Sequence, residues 1–351
     1  MLSSLELDNF TAFPQARLDF ASGLNVIVGD NGTGKTHLLK AAYSVLAVLR
    51  EGATPAPGKA AEPTKTQLQP HLASKFVGVF RPDHLGRLAT RRQGRSRSQV
   101  YARFENSDLD CGFSFATQSR SEVSLEQTPR RWLEQPPVYL PTRELLTIYP
   151  GFVPIYESHY LEFEETWRDT CLLLGAPTLR GKREHTVKTL LDPLEQIMGG
   201  AIRLDHNGRF YLQQPGQGKL EMGLVAEGWR KIAMLAHLIG NGALLGQGYL
   251  FWDEPEANLN PRLIRQVART IMATAQQGVQ IFIATHSLFL LRELELLAAN
   301  PAYHDVPQRY FALAAGEDAV AVRAGDAAED VDPLVLLDEE LAQSNRYMAL
   351  D

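Results

Sequence analysis

A chain of 351 residues, 44% apolar and 22% charged, has the make-up of a folded globular protein, sized for one large domain or a domain plus a lobe. A formal charge of −6 excludes a uniformly basic surface that would coat nucleic acid, and two cysteines, Cys111 and Cys171, are too few for a disulfide framework. The opening MLSSLELDNFTAF lacks the pattern of a secretory signal, and no apolar run approaches the roughly 20 residues that span a bilayer, so a cytoplasmic protein without membrane contact is expected.

In chain order, LSSLELDNF and ARLDF alternate as two short strands, and GLNVIVG has the continuous apolar centre of a strand buried on both faces. GDNGTGKT follows, then THLLKAAYSVLAVLR with helical spacing. Residues 51–70 are rich in Ala, Pro, Gly and Thr and read as a mobile surface loop. Period-two segments, KFVGVF, QVYARFE, LDCGFSFAT and EVSLEQ, then predict an antiparallel sheet over 76–127. PPVYLPTREL is a buried strand that stops at a proline, and 151–200 reads as a compact helical lobe. IRLDHNGRFYLQQ is a hairpin turning at Asn207-Gly208. Beyond it come a helix (EGWRKIAMLAHLIGNG), a strand (GYLFWDE), a helix (PRLIRQVARTIMATAQQG) and a strand (VQIFIATHS). A last helix, a hairpin ending near 325 and a polar tail complete the chain. Strands alternating with helices predict a mainly parallel α/β core over 1–150 and 201–315, interrupted by the lobe.

Gly29-Asp30-Asn31-Gly32-Thr33-Gly34-Lys35-Thr36 fits the phosphate-loop pattern G-x-x-x-x-G-K-[ST] at every fixed position, between a buried strand and an apolar-periodic helix. The glycines let backbone N–H groups turn inward around phosphates, and the helix adds its positive end. Lys35 is expected to reach the β- and γ-phosphates and Thr36 to ligate Mg²⁺, with His37 next in the helix. The second buried strand, YLFW, runs into adjacent carboxylates, Asp253 and Glu254. Asp253 is placed to hold the metal and Glu254 to polarise an attacking water as a general base.

Together these motifs resemble the ATP-binding-cassette ATPases, most closely the soluble branch of chromosome-maintenance heads, RecF and the ATPase domain of the overcoming-lysogenization-defect nucleases. LELDNFTAF is similar to the L-x-N-F-x-x-F start of that branch, and the resemblance runs in order to about residue 295. It implies a D-loop at Glu256–Pro261, a switch histidine at His286, and a signature-like helix at Val225–Lys231. Gly228 keeps the signature glycine, but Ala226 replaces the usual serine. The place of the Q-loop falls at Thr142, Arg143 and Glu144, without the expected glutamine; any of the three could substitute for it, with Arg143 able to sense phosphate or pair with an acid. No adenine-stacking aromatic stands out; core packing is the better reading of Phe10 and Phe13. The resemblance further implies ATP and Mg²⁺ as ligands, ATP hydrolysis, and a head-to-tail homodimer through the D-loop and the signature-like helix. Such a dimer would gate a partner effector protein or nucleic acid, in DNA maintenance or genome defence.

Six arginines fall within seventeen residues, Arg87, Arg91, Arg92, Arg95, Arg97 and Arg103. A solvated hairpin loop is the simpler reading, and contact with a nucleic-acid backbone the alternative. Two further readings of the chain stay open: a nucleotide-sensing assembly module with little turnover, favoured by the altered signature, and, least favoured, a transporter's ATPase subunit.

Overall fold

A computed structural model describes residues 1–52, 62–90, 96–159, 161–179, 184–316, 319–331 and 335–349. The chain begins with β1 (Leu2–Phe10), β2 (Phe13–Asp19) and β3 (Leu24–Gly29), then α1 (Lys35–Glu51) and α2 (Lys65–Phe80). Next come β4 (Arg97–Phe104), β5 (Cys111–Ala116), β6 (Ser124–Gln127) and β7 (Pro137–Leu140). Helices α3 (Tyr149–Ser158), α4 (Glu165–Leu174) and α5 (Glu184–Met198) precede β8 (Ala201–Leu204), β9 (Phe210–Gln214) and β10 (Gly218–Glu221). The last part holds α6 (Glu227–Gly240), β11 (Tyr249–Asp253), α7 (Pro261–Gln276), β12 (Gln280–Thr285) and α8 (Leu288–Ala298). It ends with β13 (Gln308–Ala315), β14 (Val320–Gly325) and α9 (Val335–Met348).

The centre is a six-stranded sheet ordered β14-β13-β3-β12-β11-β7, parallel except for β14. Its strands are apolar on both faces because both are covered. Leu24, Val26, Leu250, Trp252, Ile281 and Ile283 face a core shared with α6, α7 and α8. Ile27, Phe251, Phe282 and Ala284, on the alternate positions, face a second core shared with α1, α2 and the antiparallel sheet β2-β1-β4-β5-β6. The two sheets are joined through the fully buried Gln280. Its amide donates to Leu2 O (2.7 Å) and Ala21 O (2.8 Å), and its Oε1 accepts from the Leu2 N–H (2.9 Å).

Two segments differ from the sequence expectation. Lys65–Phe80, read as the end of a loop and a strand KFVGVF, is the single helix α2. Its buried Leu68, Leu72, Ala73, Phe76 and Val79 recur at helical spacing, and Thr64 caps its start, accepting from the Gln67 N–H. Lys75, buried on α2, pairs with Glu51 of α1 and with Glu165 and Asp169 of α4, so this acidic group already holds its counter-charge. Packing of that stripe and of Lys75 outweighs the local alternation of KFVGVF. The terminal segment, read as a polar tail, contains α9. The Asn207-Gly208 hairpin forms as expected between β8 and β9, with Gly208 at φ 71°. Residues 53–61 of the expected surface loop lie outside the described residues.

Both cysteines are buried and unbridged, and burial pushes each thiol up to about 12, which leaves them unreactive packing residues. Phe10 and Phe13 are fully buried, as core packing required. Among the described residues no helix is long and apolar enough to cross a membrane.

Candidate nucleotide site

Three neighbouring parallel strands end at the same edge of the central sheet, β3 in Gly29, β12 in Thr285 and β11 in Asp253. Open α/β sheets place ligands at that carboxyl edge. The order β3-β12-β11 puts the His286 strand between the phosphate-loop strand and the paired-carboxylate strand, which brings the phosphate loop together with two stretches that follow it by more than 200 residues.

The loop after β3 has the geometry that its glycines permit. Gly34 caps α1 with φ 92°, and a Cβ there would sit 2.7 Å from the Phe13 ring. A Cβ at Gly29 would sit 2.5 Å from Leu313 O. Gly34→Ala is therefore expected to destabilise the fold by about 2–4 kcal/mol, from overpacking and a left-handed backbone at once, measurable by denaturant titration. Lys35 is buried and its ammonium folds back to donate to Gly29 O (2.8 Å) and Asp30 O (2.9 Å) of the loop. Burial lowers its pKa, against the opposing fields of Glu254, Asp253, Asp30 and Glu256. Thr33 accepts no load from the loop beyond its own turn, its hydroxyl donating to Asp30 O (2.8 Å), while Asp30, Asn31 and Gly32 are exposed at the rim.

Thr36 Oγ1 donates to Asp253 Oδ2 at 2.9 Å. Burial raises the Asp253 carboxyl above its usual range, the hydroxyl of Thr36 partly offsetting it. Two hard oxygen donors in contact, one a desolvated carboxylate, fit a divalent ion between them. His37, one residue on, lies against the Phe80 ring (centroids 5.6 Å apart) rather than beside these donors.

Glu254 follows Asp253 in a left-handed conformation, φ 47°, rare for a residue with a side chain. That turn sends its carboxylate away from Asp253, to within 3.1 Å of His286 Nδ1. Both side chains stay partly open to solvent, Glu254 at 29% and His286 at 47%, as groups meeting a ligand must. Glu256, buried, sits underneath: its Oε1 accepts from Thr285 Oγ1 (2.6 Å) and from the His286 N–H (3.3 Å). Sequence reading gave Glu256 only as the first residue of a D-loop; its hold on the His286 backbone depends on β11 and β12 being neighbours.

The signature-like segment opens α6 with no side-chain cap at Ala226, so its first N–H groups are unclaimed by a capping hydroxyl. Glu227 turns to accept from Asn258 Nδ2 (3.0 Å), and Gly228 presses on the same turn, a Cβ there falling 3.1 Å from Asn258 O. Two cations in this turn of helix escaped the sequence reading. Arg230 pairs with the buried Glu144 at 3.0 Å, which also accepts from Thr147 Oγ1 (2.6 Å). Lys231 is buried and donates to Glu254 O (2.7 Å) and Ala257 O (3.3 Å); burial lowers its pKa to about 8. Arg143 is exposed and, with Thr142, lines a 360 Å³ cavity that also takes in Thr36, Lys40, Tyr139 and Asp253. Arg143 thus lies on the Thr36–Asp253 side of the loop, whereas Glu144 turns to Arg230 of α6 and to Thr147.

In the arginine-rich stretch, Arg87 pairs with Asp83, Arg97 donates to Ser114 and Ser124, and Arg103 pairs with Glu6. Arg91, Arg92 and Arg95 lie outside the described residues.

Comparison with known proteins agrees with this geometry. Residues 24–292 match the family described as "AAA domain, putative AbiEii toxin, Type IV TA system", and residues 4–43 match a further AAA-domain family. The chain belongs to this AAA-domain ATPase family. Over 42 residues the chain is 45% identical to the DNA replication and repair protein RecF of Oenococcus oeni, and over 42 residues equally so to RecF of Pediococcus pentosaceus. Each alignment spans 12% of this chain and 11% of the relative, so the chain covers about a tenth of the length of the curated proteins it matches. Among solved structures, an Smc head bound to the C-winged helix domain of ScpA aligns with TM-score 0.53 at 14% identity, over 93% of this chain and 98% of that one. An Smc head with an extended coiled coil, bound to the C-terminal domain of ScpA from Pyrococcus furiosus, gives 0.55 at 12% identity, over 98% and 99%. The AAA-domain protein therefore has the phosphate-loop ATPase fold of the chromosome-maintenance heads, as the resemblance implied.

Proposed function

We propose that this AAA-domain protein binds Mg-ATP, hydrolyses it, and dimerises head-to-tail across two nucleotides to gate a partner. The observation that carries the reading is the convergence of Lys35, the Thr36–Asp253 contact and the Glu254–His286 pair at one sheet edge.

Backbone N–H groups from Gly29 to Thr36 and the Lys35 ammonium would hold the β- and γ-phosphates. Thr36 and Asp253 would hold Mg²⁺, which when bound neutralises charge on the β- and γ-oxygens. Glu254 would take a proton from the attacking water, a role supported by its partial exposure and its place beside His286. His286 would orient Glu254 and meet the γ-phosphate. The uncapped start of α6 offers N–H groups and a positive helix end to the nucleotide of a second copy, in place of the missing signature hydroxyl. With Glu227 held by Asn258, its carboxylate is restrained from that end. Arg143, exposed above the Thr36–Asp253 cavity, is the candidate sensor in the Q-loop place.

A nucleotide-sensing module with little turnover is favoured by Ala226 where a serine hydroxyl is usual and by the missing glutamine in the Q-loop place. Service in DNA maintenance or defence, with an effector or nucleic acid as client, is an analogy from the family and from RecF. The described arginines Arg87, Arg97 and Arg103 already have partners and lend little to a phosphate-binding stripe.

The test is molecular mass in solution with and without Mg-ATP, with phosphate release followed in the same samples. Nucleotide-dependent doubling of mass with steady phosphate release is expected. Doubling without release favours the sensing module, and neither effect sinks both.

A further inference from the structure

The first turn of α6 is joined to the loop after β11 by one buried cation. Lys231 is 2% exposed, and its ammonium reaches under the turn Glu254–Ala257 to donate to both terminal carbonyls, Glu254 O at 2.7 Å and Ala257 O at 3.3 Å. The ring of Trp252 lies on another side, 5.9 Å from the ammonium. Burying an ammonium is costly, and the two carbonyls, the aromatic face and the fields of Glu256, Glu254, Asp253 and Glu227 repay it only in part, so that its pKa stays lowered. A methionine of similar volume would fill the same space at less cost in solvation.

What the ammonium holds is the strained residue. Glu254 sits at φ 47°, and its carbonyl, which in this conformation turns away from β12, also accepts from the Ala257 N–H (3.1 Å). Backbone strain of this kind persists when surrounding contacts over-determine it. From the other side, the Glu254 N–H donates to Ala284 O (2.9 Å). The peptide on each side of Glu254 is therefore pinned, one to β12 and one to α6. The neighbouring Arg230 leads from the same turn of helix to Glu144, beside Arg143.

We infer that Lys231 is a positioning residue for the hydrolytic reaction: it fixes the Glu254–Ala257 turn so that the Glu254 carboxylate faces the nucleotide, and it ties that turn to the start of α6. This rests on the reading of Glu254 as the base. It has a consequence for assembly. Any shift of the α6 start on meeting a second copy's nucleotide is passed through Lys231 to Glu254 of its own chain, so closure and base alignment become one event.

The experiment compares wild type, Lys231→Met, Lys231→Arg and Glu254→Gln as full chains. It measures phosphate release against ATP concentration, and amide exchange of the peptide covering residues 253–259. For Lys231→Met, kcat is expected to fall roughly 10- to 100-fold, the loss that a misplacement of about 1 Å brings, with KM within about twofold. Amide exchange is expected to quicken in 253–259 alone, and Lys231→Arg is expected to recover part of kcat because it keeps donors to both carbonyls. Unchanged kcat in Lys231→Met overturns the inference, as does a loss accompanied by faster exchange throughout the chain. If Glu254→Gln turns over like wild type, the base reading fails by itself, and exchange at 253–259 in Lys231→Met still decides whether Lys231 holds the turn.

Discussion

Lys35→Ala is expected to abolish tight ATP binding while leaving the fold intact. The ammonium donates to Gly29 O and Asp30 O, and its burial disfavours the charged form. Deleting it removes that burial cost together with two hydrogen bonds to carbonyls on an exposed-rimmed loop, so the unfolding midpoint without nucleotide should barely move. With nucleotide the balance differs. The ammonium can leave the carbonyls for phosphate oxygens, exchanging neutral acceptors for charged ones. Hydrogen bonds to charged groups contribute about 1.5–3 kcal/mol each, so losing one or two weakens ATP by roughly 2–4 kcal/mol, ~30- to 1000-fold in Kd. Titration of a fluorescent ATP analogue into both proteins, with thermal unfolding alongside, checks this. Unchanged affinity in Lys35→Ala contradicts the phosphate-loop assignment.

The parts of this site that could be read in the sequence are those whose chemistry sits in consecutive residues. GDNGTGKT carries its own turn, donors and helix start, and WDE carries a buried strand and its acids, so the structure had only to bring them together. His286 entered through the family resemblance, supported by its place after an apolar strand. Lys231, Glu256 and the Arg230–Glu144 pair were not, because each acts through a partner on another element, and a lysine five residues past Ala226 reads as the polar face of any helix. Helix α2 failed for a different reason. Leu68, Leu72, Phe76 and Val79 do have helical spacing, but Pro70 inside the helix and the Pro-rich run before it argue for a loop, while KFVGVF alternates like a strand. Tertiary packing on the core shared with α1 decided between two locally plausible patterns.

Glu254→Gln is the substitution that separates an ATPase from a nucleotide sensor. Glutamine keeps the length and one oxygen of the side chain, so the contact with His286 Nδ1 now at 3.1 Å can survive, as can the Lys231 hold on the backbone. What it loses is the negative charge and the ability to take a proton. Loss of a general base costs about 10²- to 10⁴-fold in rate, so phosphate release should fall to the edge of detection. Loss of the charge acts on binding in the opposite sense. Glu254 is among the fields that raise the Asp253 carboxyl, and glutamine in its place relieves that repulsion. It also removes a carboxylate facing the γ-phosphate. ATP should therefore bind at least as tightly in the variant, persist uncleaved, and hold two copies together as a stable species of doubled mass. A variant that stays monomeric with bound, intact ATP removes the head-to-tail dimer while keeping the base; one that dimerises yet cleaves at the wild-type rate removes Glu254 as the base and leaves the proton to another group.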